Sequence, residues 1–380
     1  MDNSPARHRN TMGPYDYLIV GCGLYGATFA ENATKAGKKC LIIDSRDHIG
    51  GNCYTKRVDG IDIHRYGAHI FHTNSDIVWE YVNRFTTFNS FINRPKAKFD
   101  GKFYSFPINL MTLNQLWGVE TPDEAQAKLD EVRIHIEGPS NFEEMALSKV
   151  GEELYYTFFY GYTKKQWGDP KKVNASVFSR LPIRMNFDDR YYGDKYQGIP
   201  IGGYTEMIQN MLGKTDIVLN VDYFDNREYW NGWAKNLVFT GKIDQFYDYQ
   251  FGELQYRSLR FETEKYTGDF QGNGVINHTN EQVAYTRTIE HKHFAMSKIA
   301  SEASTYVTTE YPDTYSVGKI PYYPVVNSIS SEAYHKYANL SKRDNIIFGG
   351  RLAKFKYMDM DAVIGSVLKH FTHGEAHTIL

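Results

Sequence analysis

The chain has 380 residues and a nearly balanced charge, with 43 Lys and Arg against 45 Asp and Glu. This balance excludes a strongly basic nucleic-acid surface, and no apolar run approaches the ~20 residues of a membrane-spanning helix. Three cysteines without C-x-x-C spacing predict reduced thiols and a cytoplasmic protein. The 30 tyrosines exceed what a core requires, and they predict a site that stacks flat groups and donates hydroxyl hydrogen bonds.

Residues 15–52 hold the most informative pattern of the chain. A short apolar run over residues 16–20 predicts a buried strand, and residues 40–43 predict a second one. Between them stand three glycines with the spacing G-x-G-x-x-G, namely Gly21, Gly23 and Gly26. Such glycines allow a tight turn, let backbone N–H groups approach a pyrophosphate and let the helix pack closely on the strand. This order of features predicts a dinucleotide-binding unit rather than a βαβ unit without a ligand.

The residues that follow separate the possible cofactors. Asp44 ends the second strand, where an acid accepts hydrogen bonds from a ribose diol. Arg46 and a second glycine pair come next, as Gly50, Gly51 and Asn52. The extended pattern resembles the FAD-binding families of the glutathione-reductase and amine-oxidase type, and no second G-x-G-x-x-G offers a separate NAD site. The predicted cofactor is therefore FAD.

The later elements alternate between helical and strand-like patterns. Asp100-Gly101 predicts the turn of a hairpin over residues 96–106, and Thr121 predicts a helix start within a mostly helical stretch, residues 109–170. Further helices are predicted over 74–88 and 359–370, and strands over 216–224, 236–247, 254–263, 275–294 and 345–351, the last running into a glycine turn. The predicted class is α/β. The first and last parts of the chain are expected to form a Rossmann-like nucleotide-binding fold, with a helical bundle and an antiparallel sheet inserted between them.

An aromatic segment over residues 154–168 has two interpretations. Its apolar side chains at 154, 155, 158, 159 and 162 fall on one helical face, and such a stripe usually belongs to a core. Gly161 interrupts the stripe, however, and Tyr162 and Trp167 flank polar residues. That arrangement suits a platform whose rings face a planar ligand.

Two arginine-containing segments are candidates for binding phosphate. Arg180 and Arg184 precede Asp188 and Arg190, and guanidinium groups match phosphate oxygens in bidentate pairs. Surface ion pairs with the neighbouring aspartates are the simpler explanation for any single arginine. Arg287 stands in an alternating strand pattern, where an inward-facing arginine needs an anionic partner.

Two histidine pairs and a glycine turn complete the candidates. His69 with His72, and His291 with His293, lack a third ligand at helpful spacing, so the sequence predicts no metal site. Gly349-Gly350-Arg351 precedes a helix and offers N–H groups to a phosphate or to the edge of a flavin ring.

Successive motifs resemble those of one family over nearly the whole chain. They are G-A-H-I-F-H-T (67–73), G-Y-T-K-K-Q-W-G (161–168), R-L-P-I-R (180–184), Y-T-R-T-I-E-H-K-H-F (285–294), P-Y-Y-P-V (321–325) and G-R-L-A-K-F-K-Y-M-D-M-D (350–361). In this order they are similar to bacterial UDP-galactopyranose mutases. The resemblance implies an FAD-dependent homodimer that interconverts UDP-galactopyranose and UDP-galactofuranose and supplies galactofuranose for cell-surface polysaccharide. It also implies a reduced flavin whose N5 is the nucleophile at the anomeric carbon, without net redox change.

The resemblance further implies a role for each matching residue. The uridine site is expected at Phe158, Phe159, Tyr162 and Trp167. The diphosphate is expected at Arg180 and Arg287, assisted by Tyr191, one of Tyr322 and Tyr323, and Tyr357. Arg257 is expected in the substrate site and Asp359 in the sugar pocket. His69 and His72 are expected to face the flavin. The expected catalytic residues are Arg180, Arg287, His69 and His72. The expected cofactor contacts are Gly21, Gly23, Gly26, Asp44, Arg46, Gly50, Gly51, Asn52, His69, Gly350, Arg351, Asp359 and Met360. The chain departs from the family where Ala68 stands for a common Pro and Asp44 for a frequent Glu.

The same resemblance implies three subdomains and leaves two rivals. The FAD-binding domain is expected over 15–84, 206–245 and 330–370, and the helical bundle over 107–175. The twisted antiparallel sheet domain is expected over 85–106, 176–205 and 246–329. Flexible tails are expected over 1–14 and 371–380. One rival is an FAD amine-oxidase-type oxidoreductase, which shares residues 15–52. The other is a flavoprotein that binds a nucleotide sugar without catalysis.

Overall fold

The computed structural model describes residues 13–180, 182–295, 303–344 and 346–372, without the side chains of Ser179, Arg180 and Ser328. The predicted tails lie largely outside these ranges. The strands are β1 (Tyr15–Val20), β2 (Cys40–Ile43), β3 (Thr55–Val58), β4 (Ile61–His64), β5 (Phe71–Thr73), β6 (Lys96–Phe99), β7 (Lys102–Ser105), β8 (Tyr196–Gly198), β9 (Asp216–Val218), β10 (Ala234–Phe239), β11 (Tyr256–Thr267), β12 (Val275–His278), β13 (Arg287–Glu290), β14 (Ser304–Thr314), β15 (Tyr323–Pro324) and β16 (Ile346–Phe348).

The helices follow the same numbering in chain order. They are α1 (Leu24–Lys35), α2 (Asp76–Val82), α3 (Leu110–Trp117), α4 (Pro122–Val132), α5 (Phe142–Leu154), α6 (Gly161–Trp167), α7 (Gly203–Leu212), α8 (Arg227–Asn231), α9 (Ile243–Phe246), α10 (Ser328–Ser341), α11 (Gly350–Ala353) and α12 (Met360–Thr372). A π-helical segment, Tyr155–Tyr160, joins α5 to α6. Among the described residues, no helix combines the length and the apolar composition needed to cross a membrane.

A five-stranded parallel sheet carries the predicted nucleotide fold. Its order is β16-β10-β1-β2-β9, and every pair of neighbours is parallel. All four residues of β2 are buried, as expected for a strand covered on both faces. Helix α1 buries its small residues Ala27, Ala30 and Ala33 completely, which lets it lie close to the sheet. The α/β class predicted from the sequence is confirmed.

The carboxyl edge of this sheet gathers the ends of four strands. Gly21 follows β1, Asp44 follows β2, Thr240 follows β10 and Gly349 follows β16. Backbone hydrogen bonds continue the pairing past the strands, from Gly21 N–H to the Ile43 carbonyl at 2.8 Å and from Gly349 N–H to the Phe239 carbonyl at 3.1 Å. Ligands of open parallel sheets bind beyond this edge. Residues that are far apart in sequence are thereby brought to one place.

A second sheet has seven strands in the order β15-β11-β14-β13-β12-β6-β7. Its pairs are antiparallel except β12 and β6, which run parallel, so the predicted antiparallel sheet contains one parallel pair. The hairpin of β6 and β7 turns at Asp100 and Gly101, whose φ angles of 47° and 78° match the predicted two-residue turn.

Helices α3 to α6 enclose a separate apolar core that includes Leu113, Leu129, Phe142, Leu154 and Phe158. The Thr121 side chain accepts a hydrogen bond from the Glu124 N–H and completes a capping box at the start of α4, as the sequence predicts.

Other predicted boundaries were wrong. The helix expected over 74–88 is shorter and consists only of α2. The strand expected over 216–224 ends at Val218, and the one expected over 236–247 ends before the helix α9. Residues 279–286 form a loop inside the predicted strand 275–294. Contacts with distant elements override the local pattern there; the loop, for example, is bound to α6.

Candidate active site

Two glycine segments pack against each other at the carboxyl edge of the parallel sheet. The Gly50 N–H donates to the Cys22 carbonyl at 2.8 Å, which ties the second glycine pair to the first glycine loop. A Cβ atom on Gly51 would lie 2.9 Å from the Gly23 Cα, so a side chain there would push the two segments apart. The result is a cradle walled by backbone, as a pyrophosphate requires.

Asp44 and Arg46 bring polar groups to this cradle. The Asp44 carboxylate accepts hydrogen bonds from the backbone N–H of Cys22 at 2.6 Å and of Arg46 at 2.9 Å. The Arg46 Nη2 donates to the Asn52 Oδ1 at 2.8 Å, while its Nη1 is buried and has no hydrogen-bond partner among the described residues. A buried guanidinium N–H needs an acceptor. The unpaired donor beside a glycine cradle fits a dinucleotide cofactor.

The two histidines that are predicted to face the flavin have different partners. His69 donates from Nδ1 to the Gly67 carbonyl at 2.8 Å, and burial lowers the pKa of His69 to about 4. Its imidazole is therefore neutral, with Nε2 free to accept a hydrogen bond.

His72 is oriented by a carboxylate that the sequence analysis missed. Its Nδ1 lies 2.5 Å from the Asp194 Oδ2, and its ring stacks on Tyr192 with 3.7 Å between centroids. A carboxylate on Nδ1 fixes which nitrogen carries the proton. Asp194 carries no motif of its own, and Tyr192 ends the D-D-R-Y-Y segment (188–192) that follows R-L-P-I-R. Only the pairing of β5 with β8 brings this part of the chain to His72.

Arg351 connects the glycine cradle to a cluster of aromatic residues. Its Nη2 donates to the Met358 carbonyl at 2.7 Å, and its guanidinium lies 4.8 Å from the Tyr357 ring centroid and 5.7 Å from that of Tyr323. The Met360 sulfur accepts a hydrogen bond from the Cys53 thiol at 3.8 Å. Burial raises the pKa of Tyr357, and the neighbouring Tyr323 and the Asp359 carboxylate raise it further.

A cavity between α6 and the seven-stranded sheet brings together half of the predicted substrate residues. It is lined by Phe106, Phe142, Phe158, Phe159, Tyr162, Thr163, Trp167, Val177, Tyr191, Asn277, Thr279 and Arg287. Phe158 and Phe159 are 2% and 4% exposed and also belong to the helical core. Tyr162 and Trp167 are less buried. Phe158 and Phe159 are therefore core residues that also line the cavity, whereas a ligand platform at Tyr162 and Trp167 stays a prediction.

Arg287 reaches this cavity from β13. Its Nε lies 3.9 Å from the buried Glu310 Oε1, and its guanidinium lies 5.9 Å from the Tyr162 ring centroid. The Nε is buried and makes no hydrogen bond within the part of the chain that the structure describes. Glu310 was not predicted, although an acid in the alternating pattern of β14 was a usable signal. The cationic group is held in place and still has donor capacity for an anion.

The neighbouring tyrosines face different surroundings. Tyr323 lies 5.8 Å from Trp167 and 6.0 Å from Tyr357, measured between ring centroids. Tyr322 is 3% exposed and packs on Phe261. Burial and the nearby Glu310 carboxylate raise the pKa of Tyr323 to about 12, so its hydroxyl remains a donor at neutral pH. The structure thus places Tyr323, rather than Tyr322, in the aromatic cluster.

The other predicted arginines differ in what they contact. Arg184 donates to the carbonyls of Asp188 and Arg190, and Arg190 pairs with the Asp188 carboxylate at 2.8 Å, so the ion-pair explanation describes these two arginines. Arg257 directs Nη2 at the Lys165 carbonyl at 3.5 Å, at the end of α6. The side chain of Arg180 lies outside the described residues.

The second histidine pair is divided between two networks. His291 contacts the Thr308 hydroxyl through Nε2 at 2.7 Å and accepts the His64 N–H through Nδ1 at 3.3 Å. His293 lies 3.3 Å from Glu290 and 3.2 Å from Asp269. These three groups could meet at one ion, but the Lys292 ammonium already lies 3.5 Å from Asp269.

Comparisons with known proteins identify the family and the fold. The family model described as UDP-galactopyranose mutase matches residues 157–357, and that of the NAD(P)-binding Rossmann-like domain matches residues 19–85. An Escherichia coli protein named dTDP-fucopyranose mutase is 43% identical over 93% of this chain and 96% of its own. A Klebsiella pneumoniae protein named probable UDP-galactopyranose mutase is 41% identical over 94% of both. The crystal structure of a reduced UDP-galactopyranose mutase shares the fold, with a TM-score of 0.74 at 17% identity over 95% of this chain and 93% of that one.

Proposed function

The chain belongs to the UDP-galactopyranose mutase family and is an isomerase, and from this premise we propose that it interconverts UDP-galactopyranose and UDP-galactofuranose with reduced FAD as its cofactor. Family membership also argues against the amine-oxidase-type alternative, which shares only the nucleotide fold. The retention of Arg180, Arg287 and the aromatic platform in the sequence argues against the alternative of binding without catalysis.

One observation carries the proposal. The Arg287 guanidinium, with an unpaired Nε, lies in the cavity that Tyr162, Trp167 and Tyr191 also line, and Tyr323 stands beside Trp167. A cation next to flat rings and hydroxyl donors matches a nucleoside diphosphate in both of its parts. The base stacks on the aromatic groups, and the phosphates take the charged and hydroxyl donors.

The arginine acts on the step that breaks the bond to the anomeric carbon. Negative charge grows on the departing diphosphate, so a fixed cation near it stabilises the transition state more than the ground state. The buried Glu310 keeps the Arg287 guanidinium in position, which reduces the reorganisation needed during the reaction. We assign Arg180 the same role by its place in the R-L-P-I-R motif. Retention of UDP in the cavity keeps it available for the return step.

The cofactor is placed on the glycine cradle. Gly21, Gly23 and Gly51 leave room for the pyrophosphate, Asp44 accepts the ribose hydroxyls, and the unpaired Nη1 of Arg46 meets an acceptor. When bound, reduced FAD supplies the nucleophilic nitrogen that attacks the anomeric carbon. His69 offers a neutral acceptor nitrogen on the same side, and His72 is held by Asp194. Arg351 bridges the cofactor and substrate parts of the site.

We propose the remaining features on the same basis. The chain divides into an FAD-binding domain, a helical bundle and a sheet domain with the boundaries expected from the sequence. It acts as a homodimer in the cytoplasm and supplies galactofuranose for cell-surface polysaccharide. These proposals rest on the family alone.

A direct assay tests the proposed reaction. Dithionite-reduced protein is incubated with UDP-galactofuranose, and the products are separated by anion-exchange chromatography. Conversion mainly to UDP-galactopyranose is expected, because the six-membered ring is less strained. The oxidised protein is the matched control and should be nearly inactive. No conversion by fully reduced, FAD-loaded protein contradicts the proposal.

One observation favours a second candidate substrate. The Escherichia coli relative that is 43% identical is named for dTDP-fucopyranose. A thymine differs from a uracil by one methyl group, and the cavity has apolar lining such as Phe106, Phe142 and Val177. A pocket of this kind separates ligands differing by one methyl group by only about 10–200-fold. Side-by-side measurement of kcat/KM for UDP-galactofuranose and dTDP-fucofuranose decides which sugar nucleotide is preferred.

A further inference from the structure

Lys165 makes an unusual set of contacts for a lysine in an aromatic segment. Its Nζ donates to three backbone carbonyls, those of His278 at 2.7 Å, Asn280 at 2.9 Å and Tyr285 at 2.8 Å. An ammonium has three N–H donors, so all of them are used. All three partners are backbone carbonyls and not carboxylates, and they belong to one loop, residues 279–286 with its flanking His278.

This loop connects β12 directly to Arg287. It is bound to the aromatic segment at three further points, since the Thr279 hydroxyl donates to the Thr157 carbonyl at 2.6 Å, the Glu281 carboxylate pairs with Lys164 at 2.7 Å and Gly161 packs on the loop backbone. A Cβ on Gly161 would lie 2.3 Å from the Thr279 carbonyl oxygen, so only glycine permits this approach. The two walls of the cavity therefore meet at the loop. One wall carries Tyr162 and Trp167, and the other carries Arg287.

We propose that Lys165 is a positioning residue for the substrate, which fixes the aromatic platform of α6 relative to Arg287 by binding the 279–286 loop through three carbonyls. It touches neither the reacting atoms nor the cofactor. Its part in binding rests on the proposed function, because the cavity must hold a nucleoside diphosphate for the spacing to matter. Its role in joining the loop to α6 does not depend on the proposed function, since these contacts are present in the free protein.

The adjacent Lys164 supplies a matched comparison. Its Nζ pairs with the exposed Glu281 at 2.7 Å and with the Tyr160 hydroxyl at 3.1 Å, on the outer side of the same helix. Removal of its charge breaks one exposed ion pair to the same loop, which contributes little in water, and leaves the three carbonyl contacts of Lys165 intact. The two lysines differ in burial and partners but not in size or helical context.

The charge of Lys165 also predicts a pH response. Burial lowers the pKa of Lys165 to about 8, and the neutral amine keeps two N–H donors while turning its lone pair toward the third carbonyl. The other charged or titratable groups around the loop are Lys164, Glu281, Arg257, Tyr285, His278, Lys98, Asp100, Arg287 and Glu310. Burial lowers the pKa of His278 to about 4, so it stays neutral above pH 6. Affinity for UDP should fall as the pH rises through about 8.

The experiment compares Lys165→Met with Lys164→Met in the full-length, FAD-loaded protein. Calorimetry measures the Kd for UDP, and hydrogen exchange follows the amides of His278 and Thr279, which donate to Thr286 and Lys98 in the native structure. Lys165→Met should weaken UDP binding by about tenfold or more, with a smaller loss of kcat at saturating substrate. It should also speed exchange at both amides. Lys164→Met should stay within about twofold of the parent in both measurements.

Two further measurements keep the test decisive. If Lys165→Met does not fold, Lys165→Arg retains a cation with several donors, and its UDP affinity should stay within about threefold of the parent. The pH profile of UDP binding by the unmodified protein, between pH 7 and 9.5, should decline near pH 8. Equal UDP affinity and equal exchange in the two Met variants overturn the inference and leave the proposed function standing. A parent protein that binds no UDP overturns the proposed function, and the exchange data then still decide whether Lys165 holds the loop.

Discussion

Arg287 on β13 pairs in register with Glu310 on β14, and the Arg287 Nε lies 3.9 Å from the Glu310 Oε1 inside the protein. The pairing places an acid of the sheet interior directly behind the cation that faces the cavity. A lone buried guanidinium is costly, and a carboxylate at this distance offsets that cost without occupying all of the donors. The cation is therefore retained in the folded protein and remains available to a phosphate.

Replacement of Arg287 should reduce turnover severely. Arg287→Ala removes the cation expected to meet the leaving diphosphate, and a loss of about 10²-fold or more in kcat follows from the loss of transition-state charge stabilisation. Arg180→Ala should behave alike. Arg260→Ala is the control, because Arg260 is exposed on β11 and pairs with Glu262. If kcat falls by less than threefold in both Arg287→Ala and Arg180→Ala, these arginines only form ordinary ion pairs and do not stabilise the transition state.

Glu310→Gln should separate binding from turnover. The amide keeps the size of the side chain but removes the charge that positions Arg287, so kcat should fall by about tenfold. Affinity for UDP should stay unchanged or increase, since a negative charge near the diphosphate is lost. Steady-state kinetics with calorimetric Kd values on the same preparation check this. A weaker affinity at unchanged kcat is the opposite pattern and is incompatible with a positioning role.

Trp167→Ala should weaken UDP binding more than the chemical step. Stacking of a base on an aromatic side chain is worth about 1–3 kcal/mol and is equal in ground and transition states, so KM rises while kcat changes less. Tyr162→Ala should act in the same way.

Tyr156→Ala serves as the control for both variants, because Tyr156 is 49% exposed in the same segment and does not line the cavity. The thermal midpoint is measured on the same samples. A strongly lowered midpoint with unchanged UDP affinity would mean that these rings belong only to the core.

Gly51→Ala should lower cofactor retention. Gly51 has a φ of 54°, and an added Cβ would lie 2.9 Å from the Gly23 Cα across the cradle. Gly60→Ala controls for backbone strain alone, because Gly60 has a φ of 80° with nothing within 4 Å of an added Cβ. Both variants carry about 1–2 kcal/mol of left-handed strain. The measurement is the flavin-to-protein ratio, with the released cofactor identified by mass. Equal FAD content in the two variants would mean that the close approach of Gly51 to Gly23 does not affect cofactor binding.

The buried histidines predict a loss of stability in acid. Burial lowers the pKa of His291 to about 3 and that of His69 to about 4, below the ordinary value near 6.5. The unfolded chain then binds more protons than the folded one. Stability is complete above pH 6.5 and declines as the pH falls from 6.5 toward 4.

His291→Gln should reduce this acid sensitivity, because a glutamine accepts the His64 N–H and donates to Thr308 without titrating. His335→Gln, at an exposed position, is the control. Thermal midpoints at pH 7.5 and pH 5.0 give the comparison. An equal fall in midpoint for the parent and His291→Gln would place the acid sensitivity elsewhere.

The sequence by itself determined the nucleotide fold and supplied candidate residues for the site. The glycines at 21, 23 and 26, the strand 40–43 and Asp44 follow from rules that act over a few residues, since a tight turn, a close helix and a buried strand each restrict the local residue types. The hairpin at Asp100-Gly101 and the helix start at Thr121 are of the same kind. Short motifs likewise identified Trp167 and Arg287 as candidates before any contact was known.

Only the tertiary structure decided how these residues are supported. Glu310 stands behind Arg287 because β13 and β14 pair in one register, and a shift of one residue would turn that acid to the other face. Asp194 reaches His72 across 122 residues, and Lys165 reaches its carbonyls across 113 to 120. The contact of Tyr323, rather than Tyr322, with Trp167 likewise depends on how β15 packs against α6. Local patterns restrict residue types along the chain, whereas these pairings are set by the packing of separate elements, which no short stretch of sequence encodes.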